Sequence, residues 1–337
     1  MRLRRTDPSN NQRDPGRKAA LGKSSRWGVV LAGGDGVRLQ SLTRIICGDQ
    51  RPKQFCPVFG STTLLGATLS RIAPLIAQDH TLVSLNARHK RWYAKEKQLR
   101  PSQRIVQPAN RGTAPPIVHS LLSIARRDAN AVVAILPCDH HYTNEPKFRT
   151  CLESAFQSAE HHPGAVILLG AQPDYPEVEY GWIEMSPTAV DAARDVHEVN
   201  RFWEKPPLDV AQTLLSGGSL WNTFVMVGSV QAFLRLIETA LPELTESLGA
   251  GALWEGAETL IEDSVYQRIP STNFSHEVLS TNPGHLLVLR LADVGWSDLG
   301  DPKRVLSTAR GIGAQPSWLP AWRLSESAVR GTRAAVA

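Results

Sequence analysis

WGVVLAGGDGVRLQSLTRIICGDQRPKQF, residues 27–55, is the stretch on which the reading of the fold turns. It opens on Trp27-Gly28-Val29-Val30-Leu31-Ala32, a short apolar run of the kind that makes a parallel strand buried on both faces. The run gives way to Gly33-Gly34-Asp35-Gly36, where backbone without Cβ atoms can take a positive φ and lie close to a bound group. Arg38 follows, and further on Lys53 stands within Arg51-Pro52-Lys53-Gln54-Phe55. A glycine turn after a first strand presents N–H donors to anionic oxygens, and fixed cations complete a phosphate cradle. Arginine forks onto two oxygens; lysine acts as a compact point charge. No Gly-Lys-Ser/Thr follows, so this is not a Walker loop. Leu39 stands where a dinucleotide fingerprint needs its third glycine.

The rest of the chain is ordinary in bulk. Its 337 residues can bury a full core, and 42% hydrophobic with 20% charged residues argues against wholesale disorder. No apolar run reaches the ~18–20 residues of a membrane span, and no apolar segment near the start suggests a secretory signal. Cys47, Cys56, Cys138 and Cys151 show neither Cys-x-x-Cys pairing nor zinc spacing, so free thiols in a reducing cytoplasm are expected. The net charge of +5 is misleading: residues 1–26 hold eight Arg/Lys against Asp7 and Asp14, leaving −1 for the other 311. A near-neutral body with a basic, solvated arm points to an enzyme and away from nucleic acid or membrane.

Along the chain, apolar strands at 81–85, 104–106, 131–136 and 165–169 alternate with helical patterns near 63–72, 88–99, 116–127 and 147–160. That order predicts an α/β fold with a doubly wound, mostly parallel, Rossmann-like sheet. Beyond residue 170 the pattern changes. Tyr180–Glu184 and Val196–Pro206 alternate as strands, with helices from about Asp209 and Val230, which predicts a β-rich extension forming a second cleft wall. A last helix is expected near Pro302–Arg310. No hexapeptide repeat of a β-helix is visible, and no cupin-like domain is expected in a chain of this length. The expected organisation is a disordered arm at 1–26, one catalytic domain at 27–310 and a loosely packed tail at 311–337.

Asp139 ends the most apolar strand, Ala131–Leu136, and ligands of open α/β sheets sit at strand carboxyl ends. Asp298 is a second such carboxylate, far along the chain. Two distant carboxylates brought together make a hard oxygen site for Mg²⁺ that also takes phosphate oxygens. A helix cap is the alternative for Asp139 on position alone. As a cleft ligand, Asp298 should be replaceable with little loss of stability. Phe202-Trp203-Glu204-Lys205-Pro206 offers a cation for a sugar phosphate and a carboxylate for hydroxyls, or else a surface pair.

Six motifs in order, from Trp27 to Pro302, resemble the sugar nucleotidyltransferases, and Pro52-Lys53-Gln54-Phe55 looks most like the mannose-1-phosphate guanylyltransferases among them. Leu136-Pro137-Cys138-Asp139-His140 resembles Leu-Pro-Ala-Asp-His, and Trp296-Ser297-Asp298-Leu299-Gly300 resembles Trp-Ser-Asp-Val-Gly. The resemblance implies Mg²⁺ on Asp139 and Asp298. It implies nucleotide binding by Ala32, Gly33, Gly34, Gly36, Arg38 and Thr113, the last in Asn110-Arg111-Gly112-Thr113-Ala114-Pro115, where Gly112 replaces an asparagine. It implies a sugar phosphate held by Gly181, Glu204, Lys205 and Asn222, with Glu184 a weaker candidate. In Trp221-Asn222-Thr223-Phe224 the last two residues replace the family's Ser-Gly. Arg38, Lys53 and Lys205 would neutralise charge during transfer from GTP to mannose 1-phosphate. Neither a homo-oligomer nor a single subunit is specified by these residues.

Overall fold

The computed structural model describes residues 25–253, 259–261 and 263–325. The basic arm up to residue 24 therefore lies outside the described residues, but Arg26 is not part of an arm. It begins strand β1 (Arg26–Leu31) and ion-pairs with Glu153 and with Glu160.

After β1 and a 3-10 turn at Val37–Leu39 come α1 (Gln40–Cys47), α2 (Leu64–Ile72), β2 (Thr81–Asn86), α3 (Lys90–Tyr93), β3 (Arg104–Gln107) and α4 (Ala114–Arg127). Next are β4 (Val132–Pro137), β5 (His141–Tyr142), α5 (Glu145–His161) and β6 (Val166–Ala171). The extension is built from β7 (Gly181–Asp191), β8 (Val196–Glu204), α6 (Leu208–Ser216), β9 (Leu220–Ser229) and α7 (Val230–Ala240). Then follow α8 (Pro242–Gly251), β10 (Ala252–Leu253), β11 (Thr259–Ile261), α9 (Asp263–Arg268), β12 (Leu286–Leu291), β13 (Trp296–Ser297) and α10 (Pro302–Gly311).

Eleven strands form one sheet in the order β10-β11-β3-β2-β1-β4-β9-β6-β12-β8-β7. The half from β11 to β4 is parallel throughout, as the alternating strand–helix sequence requires. Beyond β4 the sheet turns mixed: β9 runs antiparallel to both β4 and β6, while β12 runs parallel to β6. β9, with its run Leu220-Trp221-Asn222-Thr223-Phe224-Val225-Met226-Val227, lies mid-sheet, where the sequence pattern marked only its first residues as a motif.

The continuous apolar runs are explained by burial on both faces. In β1, Val29 packs into a cluster with α4 and α7, while Val30 packs into another with α2 and α5. In β4, Val133 and Ile135 face the first cluster, and Val132, Ala134 and Leu136 the second. Each such valine, isoleucine or leucine contributes about 1.5–3 kcal/mol by leaving water.

Two sequence expectations need correction. The helix expected at 88–99 is one turn, Lys90–Tyr93, followed by i→i−3 turns; Trp92, Tyr93 and Leu99 are too few apolar residues to anchor a longer one. The tail beyond Gly311 is not loosely packed as far as it is described. Trp318, Leu319 and Trp322 are buried against Leu39, Leu42, Val58, Leu299 and Val305, and the Trp318 indole donates to the Val58 carbonyl at 2.9 Å. Among the described residues no helix is long and apolar enough to cross a membrane.

Candidate active site

The carboxyl ends of β1 and β4 open into a cleft. Gly33 to Gly36 leave β1 there, with Gly36 at φ 61°. A Cβ on Gly36 would stand 3.1 Å from the Lys53 backbone nitrogen and 3.3 Å from Pro52 Cα, so the turn and the Pro-Lys-Gln-Phe segment pack backbone to backbone. Gln54 fastens them: its buried amide donates to the carbonyls of Ala32 at 2.9 Å and Gly34 at 2.8 Å. The sequence marked Gln54 only as part of a motif; its role is to hold the glycine turn in shape.

Lys53 Nζ donates to the carbonyl oxygens of Asp298 at 2.7 Å and Leu299 at 3.2 Å, and stands 3.3 Å from Asp139 Oδ2. The glycine turn, Asp139 and the Asp298 segment thus meet around one ammonium. Arg38 is 62% exposed at the rim, 3.8 Å from Glu179. Two cavities of about 420 and 350 Å³ share Gly34, Gln54 and Asp139. The larger is lined also by Gly33, Ser84, Gln107, Thr113 and Phe224, the smaller by Gly36, Arg38, Lys53 and Gly300.

Thr113 Oγ accepts from the Phe274 N–H at 2.8 Å, which fixes its place on the wall. Beside it Gly112 is at φ 83°, and a Cβ there would fall 2.3 Å from the Thr272 carbonyl oxygen. Asparagine is among the residues that most often take the left-handed region, but its Cβ would meet the same carbonyl, so in this chain the close approach of the Thr272 backbone requires glycine. Phe224 is likewise left-handed, at φ 60°, where the motif has glycine. The Asn222 side-chain oxygen accepts from the Phe224 N–H at 3.0 Å and secures the turn. The conformation is kept although the residue differs.

The second wall gathers the sugar-side candidates. Gly181 pairs with Glu204 across β7 and β8, and a Cβ on Gly181 would meet Asn222 Cβ and Glu204 Oε2, each at 3.3 Å. Lys205, exposed and at φ 50°, follows directly, its N–H bonded to the Tyr180 carbonyl at 3.2 Å. Burial raises the Glu204 carboxyl above its ordinary value. Glu184 lies apart from this group: it accepts from the Trp203 indole at 3.2 Å.

Asp298 is where the sequence reading falls short. Its Oδ1 accepts from the Tyr180 hydroxyl at 2.8 Å and the Gly300 N–H at 2.9 Å, and Arg304 donates to Oδ1 at 3.3 Å and Oδ2 at 3.0 Å. Arg304 also pairs with Glu177 and with Asp301, and lies 4.5 Å over the Tyr180 ring. Burial works to raise the Asp298 carboxyl, but the Lys53 and Arg304 charges outweigh it and hold the group below the usual carboxylate range. Beside these acids, burial drives His140 down to about 4, so the ring is neutral near pH 7. No local signal marked Arg304; it sits on α10, and only the fold brings it to Asp298.

Magnesium takes one or two protein carboxylates and completes its shell with water and phosphate. Asp139 fits: it is partly exposed to both cavities, with the Lys53 ammonium at 3.3 Å and the neutral His140 ring at 4.0 Å. Asp298 does not fit in this arrangement, because both of its oxygens are engaged. Among the described residues no group of three or more His, Cys, Asp or Glu is placed to hold a metal ion.

With this geometry in place, comparison with known proteins decides the family. A family model described as Nucleotidyl transferase matches residues 27–314. The chain belongs to that family. Among relatives, it is 29% identical over 290 residues to the xanthan biosynthesis protein XanB of Xanthomonas campestris pv. campestris, covering 83% of this chain and 59% of that protein. It is 29% identical over 279 residues to a mannose-1-phosphate guanylyltransferase of Escherichia coli, covering 81% and 57%. The chain thus spans less than two thirds of the length of these relatives. A structure described as mannose-1-phosphate geranyltransferase from Thermus thermophilus superposes with a TM-score of 0.71 at 27% identity, covering 84% of this chain and 79% of that one. A UDP-glucose pyrophosphorylase complexed with UDP-glucose, at 15% identity and a TM-score of 0.51, shares the fold. The nucleotidyltransferase fold accounts for the mixed sheet and its cleft.

Proposed function

We propose that the cleft transfers a guanylyl group from GTP to α-D-mannose 1-phosphate, giving GDP-mannose and pyrophosphate. The observation that carries this reading is the meeting of the glycine turn, Lys53 and Asp139 beside a second wall holding Gly181, Glu204, Lys205 and Asn222. One wall suits a triphosphate, the other a sugar phosphate, and the mannose-1-phosphate guanylyltransferases among the relatives supply the substrate names.

In this reading the backbone of Ala32, Gly33, Gly34 and Gly36 and the Arg38 guanidinium hold the triphosphate. Thr113 flanks the nucleoside. Gly181 lets the sugar approach the backbone, Glu204 and Asn222 receive its hydroxyls, and Lys205 grips its phosphate. A sugar-phosphate oxygen attacks the α-phosphorus in line and pyrophosphate departs. That oxygen is already an anion, so no general base is needed, and catalysis is positioning plus charge neutralisation. Lys53 and Lys205 reduce the repulsion between two approaching phosphates. Magnesium, held by Asp139, would supply further neutralisation and orientation of phosphate oxygens; Asp298 could join it only after Arg304 withdraws.

The closed state of Asp298 favours a second reading, a sugar-nucleotide-binding regulator without turnover. Pyrophosphate release over a panel of nucleoside triphosphates and sugar 1-phosphates, with Mg²⁺, separates the two. Release with GTP and mannose 1-phosphate well above other pairs supports the proposal; tight nucleotide binding with no release supports the regulator. Preferred release with another sugar or base would keep the chemistry and overturn the specificity.

A further inference from the structure

The cysteines that the sequence leaves as four free thiols are not all isolated. Cys47 is the last residue of α1, and Gly48 at φ 76° turns the chain back from it. Cys56 follows the 3-10 turn Lys53–Phe55 and is fully buried, while Cys47 is partly exposed. Their sulfurs lie 3.1 Å apart, within hydrogen-bond reach. Cys138 and Cys151 are buried elsewhere, in the cluster with α2 and α5.

The pair joins the ends of two functional elements. α1 starts directly after the 3-10 turn that carries Arg38. The Cys56 N–H donates to the Lys53 carbonyl at 2.9 Å. A bond between the sulfurs would therefore tie together the supports of Arg38 and Lys53. The environment also divides the labour. The close contact with Cys56, and next the Arg51 charge, lower the proton affinity of Cys47, whereas the same contact and then burial raise that of Cys56. The more exposed cysteine is thus the better thiolate.

We propose that Cys47 and Cys56 are a reversible oxidation site, closed into a disulfide by hydroperoxides beneath the phosphate-binding turn. The Cys47 thiolate attacks the terminal peroxide oxygen, the O–O bond breaks, and the departing alkoxide or hydroxide takes a proton from water. Cys47 is left as a sulfenic acid. The Cys56 sulfur then attacks the Cys47 sulfur; the S–O bond breaks and the oxygen leaves as water with the Cys56 proton. Two thiols lose two electrons, and one hydroperoxide gains them. The sulfurs must close from 3.1 Å to about 2.0 Å. Because Cys56 is locked in the core, that movement falls on the end of α1 and is felt at Arg38.

Formation of the disulfide is independent of which transfer the cleft performs, so mass and peptide mapping fail separately from the proposed function; the effect on GTP binding rests on that function. The reduced full-length protein is treated with hydrogen peroxide and followed by intact mass, peptide mapping and equilibrium binding of GTP. The expected result is a loss of about 2 Da, a peptide linked through Cys47 and Cys56, and several-fold weaker GTP binding, all reversed by dithiothreitol. Cys56→Ser should instead accumulate a dimedone-reactive sulfenic acid on Cys47, and Cys151→Ser should behave as the parent. Linkage through another cysteine, or both thiols still alkylatable after peroxide has oxidised other residues, would overturn the proposal. An equal loss of binding in Cys47→Ser after peroxide would overturn the coupling to the phosphate site.

Discussion

Replacing Asp298 by asparagine tests whether that carboxylate serves the fold, the chemistry or both. The side chain is 15% exposed and its partner Arg304 14%, so the pair is largely out of water. Removing one member of a buried pair costs ~3–5 kcal/mol, mostly because the remaining charge is stranded. Here the stranding is partial, since Arg304 retains Glu177 and Asp301 and the new amide oxygen can still accept from Tyr180 and Gly300. The expected loss therefore falls at or below the bottom of that range, about 2–3 kcal/mol. At ~2–4 °C per kcal/mol this is a fall in Tm of roughly 4–12 °C. The expectation from sequence, little loss of stability, is replaced by this one. Urea unfolding and thermal melts of Asp298→Asn, Arg304→Met and the double variant give the coupling, expected at about 2 kcal/mol. Pyrophosphate release is measured at a temperature where all three are folded. If Asp298 also meets phosphate or an ion when substrates are bound, the double variant regains stability relative to the sum of the singles but not turnover. A melt of Asp298→Asn within a degree of the parent would refute the structural role; full turnover per folded molecule would remove Asp298 from the chemistry.

Lys205→Ala should raise KM for mannose 1-phosphate more than for GTP, because Lys205 follows Glu204 and its N–H is tied to Tyr180 on the sugar-side wall; equal rises would move it out of that site. Gly112→Ala, which puts a Cβ 2.3 Å from a carbonyl oxygen at φ 83°, should weaken nucleotide binding through the displaced Thr113, and unchanged GTP affinity would contradict this. Trp318→Ala should lower stability by about 3–5 kcal/mol while leaving both KM values near those of the parent; a small change in urea midpoint would show that the tail packs loosely after all. Burial holds His119 down to about 4 against an ordinary 6.5, so the unfolded chain binds the proton first as pH falls through that window. Stability should therefore drop between pH 6.5 and 4, by up to about 3 kcal/mol from this group, and His119→Leu should flatten the slope; identical slopes would discount it.

Much of the parallel half of the sheet was legible because strands buried on both faces show as unbroken apolar runs, and β1 and β4 are of that kind. The glycine turn was legible for the same reason that it works: only residues tolerant of positive φ and close approach fit there. β9 was not read as a strand, since polar Asn222 and Thr223 interrupt its apolar run although both are buried, Thr223 by bonding the Leu169 carbonyl at 2.6 Å. Tail packing was hidden because Trp318 and Trp322 bury against segments more than 250 positions away, among them Val58. At the cleft, residues whose backbone must be bare or twisted were visible, whereas Arg304, Gln54 and the thiol pair act through contacts that no spacing encodes.

Lys53 shows why the cleft is best understood as an exchange of partners. An ammonium has three protons to donate, and all three acceptors around it are present: two carbonyl oxygens at 2.7 and 3.2 Å and Asp139 at 3.3 Å. The carbonyls belong to the chain just before α10 and are fixed by the Asp298–Arg304 network, so they orient the lysine and do not leave it. Asp139 alone is on the cavity side. In the proposed transfer a phosphate oxygen would take the place of Asp139 at Lys53, and the carboxylate so released would be free for a hard cation on the same phosphate. On that reading the charge on Lys53 would stay paired throughout, held by two carbonyl oxygens that the fold has already set in place.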